Sequence, residues 1–285
     1  MPIITIARGS MWGGQAVAKG VSEALGCQCI GRETLTEEAL RLALGAEGLA
    51  GKPDREPWLW DRLASERATY LSALQAALAN YAGSGSLVYH GNAGHLLLRG
   101  IPSILRVRII APLEVRIGVV TAKSGISKDD AEAYIKRVDD EWARWTRFIF
   151  GVEWRDPSLY DLVINLENLS IDGACCCVLD AAKRPEFTVT EEVKGRLQDL
   201  ALAARVKLAL AMNAASRDLD LEVRAEKGVV CLAGSMIESG LPGQVFRQLK
   251  QMVETIVGEV PGVLVLHLGP DGGSAEPHGQ AASST

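Results

Sequence analysis

The stretch that decides the fold lies near the start of the chain and reads IITIARGSMWGGQAVAKGVSEALG, residues 3–26. Its first four residues are all β-branched, which predicts a buried strand. The glycines that follow predict a tight turn, and residues 16–26 predict a helix. Backbone N–H groups at the start of such a helix, together with the helix dipole, favour an anion. The stretch therefore predicts a strand, a turn and a helix that hold phosphate.

The turn matches only half of a known phosphate-binding pattern. Gly9 and Gly14 fit the glycines of G-x-x-x-x-G-K-[ST], in which lysine reaches the phosphates and the hydroxyl binds magnesium. Gln15 and Ala16 stand where the lysine and the hydroxyl are required. The pattern predicts a nucleotide-binding architecture and leaves its chemistry open.

Length and composition limit the class of protein. A chain of 285 residues has room for two domains, and 48% hydrophobic with 23% charged residues is ordinary for a soluble globular protein. The net charge of −5 lacks the excess of positive charge that is typical of nucleic-acid-binding proteins, so we expect no nucleic-acid partner. Residues 1–6 lack a basic signal-peptide region, and no run reaches the roughly 18 apolar residues of a membrane span. We therefore expect a cytoplasmic location; the oligomeric state stays open.

Cysteine and histidine spacing gives no support for a metal site. The six cysteines are Cys27, Cys29, Cys175, Cys176, Cys177 and Cys231. No two of them form a C-x-x-C pair, and the four histidines contain no H-x-x-x-H element. We expect buried free thiols and no structural metal.

Strand and helix patterns alternate over the first 183 residues. Further strands are predicted at 27–30, 87–90, 104–110 and 160–165. Helices are predicted from Thr36 as N-cap to about Gly45, then at 58–82, 91–100, 113–121, from Ser127 towards Phe148 and at 171–183, with a loop at 45–57. This alternation predicts an α/β fold with an open, mostly parallel sheet and helices on both faces. Ligands bind such sheets at the carboxyl ends of the strands.

The pattern changes after residue 183. Residues 184–192 read as a linker, followed by a helix at 193–214 and a hairpin whose strands are 219–224 and 229–234. A helix at 242–258 and a strand at 263–268 complete a small α+β domain. The tail, 269–285, is rich in Gly, Ser, Ala and Pro, and we expect it to be disordered.

Several motifs in the same order resemble a known family. They are I-x-T-I-x-R at 3–8, Gly13-Gly14 opening the helix, V-Y-H-G at 88–91, L-R-V at 105–107, A-P-L-E-x-R at 111–116 and W-x-D-P-x-x-Y-D-L at 154–162. With them residues 1–183 resemble the cytidylate kinase-like family of P-loop kinases. Residues 193–268 resemble a BON domain through V-x-L-x-G at 230–234 and P-G-V at 261–263. The resemblance implies a P-loop kinase-like sheet followed by a module often associated with membrane or lipid binding.

The resemblance also implies a reaction and its residues. Kinases of this superfamily move a phosphoryl group from ATP to a nucleoside monophosphate such as CMP, with ATP and Mg²⁺ bound, and rely on positive charge at the transferring oxygens. The implied phosphate-binding residues are Arg8, Gly9, Gly13, Gly14 and Gln15, and the implied substrate-binding residues are Gly91, Asn92 and Arg106. The implied catalytic residues are Arg144 and Arg147, because Trp142 stands where we expect the lid arginine.

Departures from the family pattern leave two readings of the loop and three of the function. Strict spacing puts Gln15 at the lysine position, whereas alignment from Ile3 puts Gly14 there and Gln15 at a family arginine. Asn92 likewise replaces an arginine. The chain is then an active nucleoside monophosphate kinase, a degenerate kinase (pseudokinase) that senses nucleotide, or a structural interaction protein. In the second reading it reports through the BON-like domain to a protein partner or a lipid surface.

Overall fold

A computed structural model of the chain describes residues 2–8, 13–48, 67–91, 93–234 and 243–269. Its strands are β1 Ile3–Arg8, β2 Gln28–Gly31, β3 Leu87–His90, β4 Ile104–Ile110, β5 Leu162–Asn165, β6 Glu222–Glu226, β7 Val229–Ala233 and β8 Val265–Leu268. Its helices are α1 Gly14–Leu25, α2 Arg32–Gly48, α3 Arg67–Gly83, α4 Gly94–Leu97, α5 Leu113–Ser124, α6 Lys128–Phe150, α7 Ile171–Ala182, α8 Glu191–Met212 and α9 Gly243–Gly258. Within these ranges no helix is long and apolar enough to cross a membrane.

The first sheet has five parallel strands in the order β2-β3-β1-β4-β5. The central strand, β1, pairs Ile3 with Leu87 of β3 on one side and with Ile104 of β4 on the other. Parallel neighbours end at the same edge, so the segments that follow all five strands meet there; we call it the carboxyl edge. The predicted parallel sheet with helices on both faces is confirmed.

Two apolar cores cover the two faces of this sheet. Successive residues of a strand point to opposite faces, so Ile4 packs with α1 and α7 whereas Ile3 packs with α2, α3, α4 and α8. Both isoleucines are fully buried. A strand covered on both faces needs apolar residues at successive positions, which is why residues 3–6 carry so strong a strand pattern.

Helices α5 and α6 form a hairpin with its own small core of Ile117, Val120, Ala131 and Ile135. Ser127 caps α6, since its Oγ accepts a hydrogen bond from the Asp130 backbone N at 3.1 Å. The predicted start of this helix is thus confirmed.

The C-terminal unit is a three-stranded sheet with two helices. Strands β6 and β7 are antiparallel and turn at Lys227 and Gly228, both with positive φ; β8 pairs in parallel with β7. Its core joins Val206 of α8, Leu232 of β7 and Val257 of α9. The predicted hairpin is confirmed, while the resemblance of this unit to a BON domain stays a prediction.

Helix α8 contributes to the cores of both units. Val193 and Leu197 lie in the core of the first sheet, and Leu202 and Val206 lie in the core of the second. The predicted linker, 184–192, holds a short 3-10 turn and the Thr190 side chain that caps α8. The division into domains at 1–183 and 193–268 stays a prediction.

One arginine of this helix also connects the two units. Arg205 donates from Nη1 to Oδ1 of Asn80 on α3 at 3.3 Å and from Nη2 to the carbonyl of Pro261, ahead of β8, at 3.2 Å. Side-chain hydrogen bonds therefore add to the apolar contacts across α8.

Two local predictions were wrong. Helix α2 begins at Arg32, directly after β2, so Thr36 lies inside it and is not its N-cap. The acidic Glu33 in its first turn is favourable at the positive end of the helix dipole. The cysteines were predicted to be buried free thiols. Only Cys175 is buried, whereas the other five are half-buried or exposed.

Some predictions fall outside the described residues. These are most of the loop at 45–57, the first part of the helix predicted at 58–82, which the structure describes from Arg67, and the tail from residue 270. Trp58 and Trp60 lie in the same undescribed part of the chain.

Candidate functional site at the carboxyl edge

Gly13 precedes helix α1 at the carboxyl edge, and any other residue at this position would be strained. Gly13 has φ of +74°, and its carbonyl accepts a hydrogen bond from the Val17 backbone N at 2.9 Å. A Cβ on Gly13 would collide with the side chain of Leu166, which follows β5. The next residue, Gly14, is buried. The free N–H groups of the first turn and the helix dipole make this end suitable for a phosphate.

No cation follows these glycines in the first turn of α1. Gln15 and Ala16 are both exposed, and Lys19, the first cation along the helix, lies 3.8 Å from Glu23. Under either alignment of the loop, the lysine that reaches the phosphates has no replacement in this turn. Any phosphate bound here would be held by backbone groups.

The structure places some of the predicted phosphate-binding and substrate-binding residues at the carboxyl edge. Arg8 ends β1 opposite Ile109, and its side chain is outside the described set, as are Gly9 and Asn92. Gly91 follows β3, is buried, and its backbone N donates to the Ile6 carbonyl at 3.1 Å. Gly13, Gly14 and Gly91 therefore share the carboxyl edge with the end of β1.

Arg106 is held away from this edge by an acidic partner. It lies opposite Thr5 in the middle of the sheet, and its Nη2 and Nε donate to Asp161 Oδ1 and Oδ2 at 2.6 and 3.1 Å. Burial alone would raise the pKa of Asp161, but the hydrogen bonds from Arg106 outweigh it and lower that pKa. This geometry favours a brace between β4 and the start of β5.

The two arginines predicted to be catalytic lie on the outer face of α6. Arg144 is exposed and makes no hydrogen bond or ion pair with another residue in the described ranges, whereas Nη2 of Arg147 lies 2.7 Å from Oε2 of Glu153. The opposite face of α6 carries Trp142 and Thr146, which line a small cavity beside the sheet. The structure therefore does not bring these arginines together with the glycines.

Sequence reasoning missed a cation that follows β2. The guanidinium carbon of Arg32, the first residue after β2, lies 4.7 Å from the ring centroid of Trp142. Burial raises the pKa of Tyr70, and the nearby charge and hydrogen bond of Arg32 oppose that rise. Trp142, which stands where the lid arginine is expected, thus stacks against Arg32 from another element. The one available signal was the position of Arg32 at the end of a predicted strand.

Further aromatic rings extend this contact into the core. Trp145 lies 5.2 Å from Trp142, 6.3 Å from Tyr70 and 5.7 Å from Phe150, measured between ring centroids, in edge-on arrangements. Such rings and a guanidinium plane are the groups on which nucleobases stack. The part of the site around Arg32 and Trp142 suits a base and a phosphate together.

Sequence reasoning also missed an aromatic group around Arg108. Its guanidinium carbon lies 4.6 Å from the Trp154 ring and 5.7 Å from the Tyr160 ring, and Nη1 donates to the Arg155 carbonyl at 2.6 Å. Tyr160 donates its hydroxyl to the Trp154 carbonyl at 2.8 Å. Burial raises the pKa of Tyr160 to about 12, although the Arg108 charge opposes this, so the phenol stays protonated. The contacts hold the 154–160 segment against the sheet.

His95 is a buried ionisable group of this region. It is 7% exposed, its ring lies 4.7 Å from that of Tyr160, and neither ring nitrogen has a hydrogen-bond partner among the described residues. Burial lowers its pKa to about 4; the Arg106 charge adds to the effect and Asp161 opposes it. The imidazole is therefore neutral at pH 7. The adjacent cavity, about 10 Å³, has room for one water.

The residues present fit a phosphate group and offer no preassembled set of protein ligands for magnesium, which at such sites is held largely by substrate phosphates and water. The cradle at Gly13 and Gly14 has the free backbone N–H groups that a phosphate needs. Across the described ranges no group of three His, Cys, Asp or Glu side chains is placed to hold a metal, and under strict spacing Ala16 stands at the hydroxyl position of the loop. Neither of these observations supplies a ligand for Mg²⁺.

The comparisons place the first unit in a family. The model of the cytidylate kinase-like family matches residues 3–168, more than half of the chain, so the chain belongs to this family. It is 35% identical over 92 residues to the cytidylate kinase of Methanocaldococcus jannaschii, covering 31% of this chain and 51% of that one. It is 29% identical over 96 residues to the cytidylate kinase of Pyrococcus horikoshii, covering 33% and 48%. The matches thus span about half the length of these curated relatives.

A solved structure supports the fold of the same region. A protein from Eubacterium ventriosum described as uncharacterized matches with a TM-score of 0.52 and 19% identity, covering 65% of this chain and all of that one. At this identity the match concerns the fold alone. The fold and the family both agree with a nucleotide kinase-like protein.

Proposed function

We propose that this chain binds ATP and a nucleoside monophosphate at the carboxyl edge and transfers the γ-phosphoryl group from ATP, with CMP as the first candidate acceptor. The observation that carries the proposal is the pairing of two features at one edge. Gly13 and Gly14 open α1 with free N–H groups, and Arg32 stacks on Trp142 after β2. The first feature suits a phosphate, and the second suits a base with its phosphate.

Phosphoryl transfer asks the protein mainly for positioning and positive charge. Arg32 is the cation that the geometry favours, and Arg144 is an exposed cation on α6. Neutral His95 supplies a ring without charge near the sheet and adds nothing to the electrostatic stabilisation. The magnesium ligands are left out of the proposal, because the described residues offer no preassembled set of them.

The test measures ADP formation from Mg²⁺-ATP with CMP, UMP and AMP in turn, for the full chain. Arg32→Gln is expected to lower kcat/KM for the preferred monophosphate about 10- to 100-fold, since it removes a charged hydrogen-bond donor. The matched control is Arg41→Gln, also on α2, whose side chain is exposed and paired with Glu38. Equal rates for both variants and the wild type would refute the role of Arg32.

A second candidate is a nucleotide sensor without turnover. The exposed Gln15 and Ala16 favour it, because loss of a transition-state cation in phosphoryl transfer costs roughly 10³ to 10⁵ in rate. Helix α8, shared by both cores, offers a physical link to the C-terminal unit, which would contact a protein partner or a lipid surface. Nucleotide binding with no ADP formation for any monophosphate would select this candidate over the first.

A further inference from the structure

A second cavity lies between the two units, away from the carboxyl edge. It measures about 310 Å³, is partly open to solvent, and is lined by α3, by the C-terminal half of α8 and by the segment that leads into β6. None of its lining residues lines the cavity beside His95 or belongs to the Arg32 and Trp142 contact. Cavities of this volume are typical of sites for small ligands.

The walls of this cavity are largely apolar, and the charged side chains among its lining residues are both cations. Leu71, Leu210 and Leu221 form much of the wall. Lys207 makes no ion pair or hydrogen bond within the described part of the chain, and Arg217 lies 3.9 Å from Asp218 with both side chains well exposed. No carboxylate is among the described lining residues. An apolar wall with two weakly compensated cations suits an anion that carries an apolar body.

Three neutral polar side chains, Ser72, Gln75 and Ser216, also line the wall, and the Ser216 hydroxyl donates to the Leu210 carbonyl at 2.7 Å. Gln75 donates from Nε2 to the Leu97 carbonyl at 2.9 Å, which fixes its amide and leaves Oε1 to accept a hydrogen bond. A volume of about 310 Å³ lies at the lower end of the range for sites that bind small organic molecules. Size and lining together define a short amphipathic molecule.

We propose that this cavity binds a small amphipathic anion, a carboxylate or phosphate on a short apolar chain or ring, with Lys207 and Arg217 at its charged end. The site is independent of the nucleotide-binding proposal, so either can fail alone. It lies where both units meet, and its occupant would therefore stabilise the contact between α3 and α8.

The test titrates the full chain with octanoate, hexyl phosphate and 1-octanol, followed by saturation-transfer NMR. Both anions are expected to bind at least about tenfold more tightly than the neutral alcohol. The double variant Lys207→Gln, Arg217→Gln is expected to lose that preference and to leave octanol binding unchanged. Ala211→Phe, which narrows the cavity, is expected to weaken all three probes. Comparing octanoate with hexyl phosphate identifies which anionic group is preferred.

The matched control is Lys183→Gln, Arg224→Gln, which removes the same charge from exposed ion pairs outside the cavity. Three results would overturn the proposal: no binding of either anion up to about 10 mM, equal affinity for anion and alcohol, or the same loss in the control. The double variant Lys207→Gln, Arg217→Gln removes two charges and leaves the apolar wall unchanged. The test therefore does not depend on whether Ala211→Phe folds.

Discussion

At the residue scale, the protein combines a glycine cradle with an arginine on an aromatic ring. Gly13 was predictable, because a strand followed by glycines and a helix fixes its local geometry. Arg32 was not, since its contact with Trp142 joins residues 110 positions apart, and no spacing pattern reports such a contact. The same limit applies to His95, whose environment is built from β4, α4 and the 154–160 segment.

His95 gives a prediction about stability at acidic pH. Its pKa is about 4 in the folded chain and about 6.5 when unfolded. The contribution of neutral His95 to the free energy of unfolding is complete above pH 6.5. It is lost as the pH falls towards 4, because between these values the imidazole binds a proton in the unfolded chain but not in the folded one. The loss is expected to be about 3 kcal/mol.

The measurement is urea unfolding of the wild type and His95→Phe at pH 7.5 and pH 4.5. The variant is expected to lose less free energy of unfolding than the wild type between these two values. Titration of the His95 Cε1 proton by NMR gives the folded pKa independently. Parallel pH dependence of the two chains, or a folded pKa near 6.5, would show that the imidazole is not buried as described.

At the element scale, strands were easier to predict than helix starts. Strands β3 and β4 have the predicted bounds, since branched residues flanked by turn signals mark both ends. The start of α2 was placed five residues late, because Thr36 has the side chain of an N-cap but the chain passes directly from β2 into the helix. Capping preference is local, whereas the start of this helix depends on the sheet before it.

Helix α6 gives a prediction at this scale. Ser127→Ala removes the Oγ acceptor of the Asp130 backbone N–H and is expected to lower the free energy of unfolding by about 1 kcal/mol. The control is Ser124→Ala, three residues earlier at the end of α5, where the serine caps no described helix. This substitution is expected to change the free energy of unfolding by less than about 0.5 kcal/mol. Urea unfolding at pH 7 measures both; equal effects would mean that the cap does not contribute.

At the scale of the whole molecule, α8 is the feature that sequence could not resolve. Its apolar residues fall on two faces, and a single sequence does not say which face meets which core. The predicted linker therefore appeared to separate two independent units, whereas Leu197 and Leu202 of one helix pack in different cores. We expect the two units to unfold together.

Tryptophan fluorescence makes this expectation measurable, because all six tryptophans lie between residues 12 and 154 in the sequence and none lies in the C-terminal unit. Leu232→Ala in β7 creates a cavity in the second core and is expected to cost about 2 to 5 kcal/mol. It should lower the urea midpoint seen by tryptophan fluorescence, as Leu197→Ala is also expected to do. An unchanged fluorescence midpoint, with a separate earlier transition by circular dichroism, would instead show independent domains.

Nucleotide binding at the carboxyl edge is measured by thermal unfolding with Mg²⁺-ATP and with CMP. A ligand at about 100 times its Kd stabilises the folded chain by about 2.7 kcal/mol, so we predict a clear rise in Tm with each nucleotide. Gly14→Val, which places a bulky side chain in the cradle, should abolish the rise with ATP. No shift at millimolar nucleotide, or the same shift in Gly14→Val, would contradict the account.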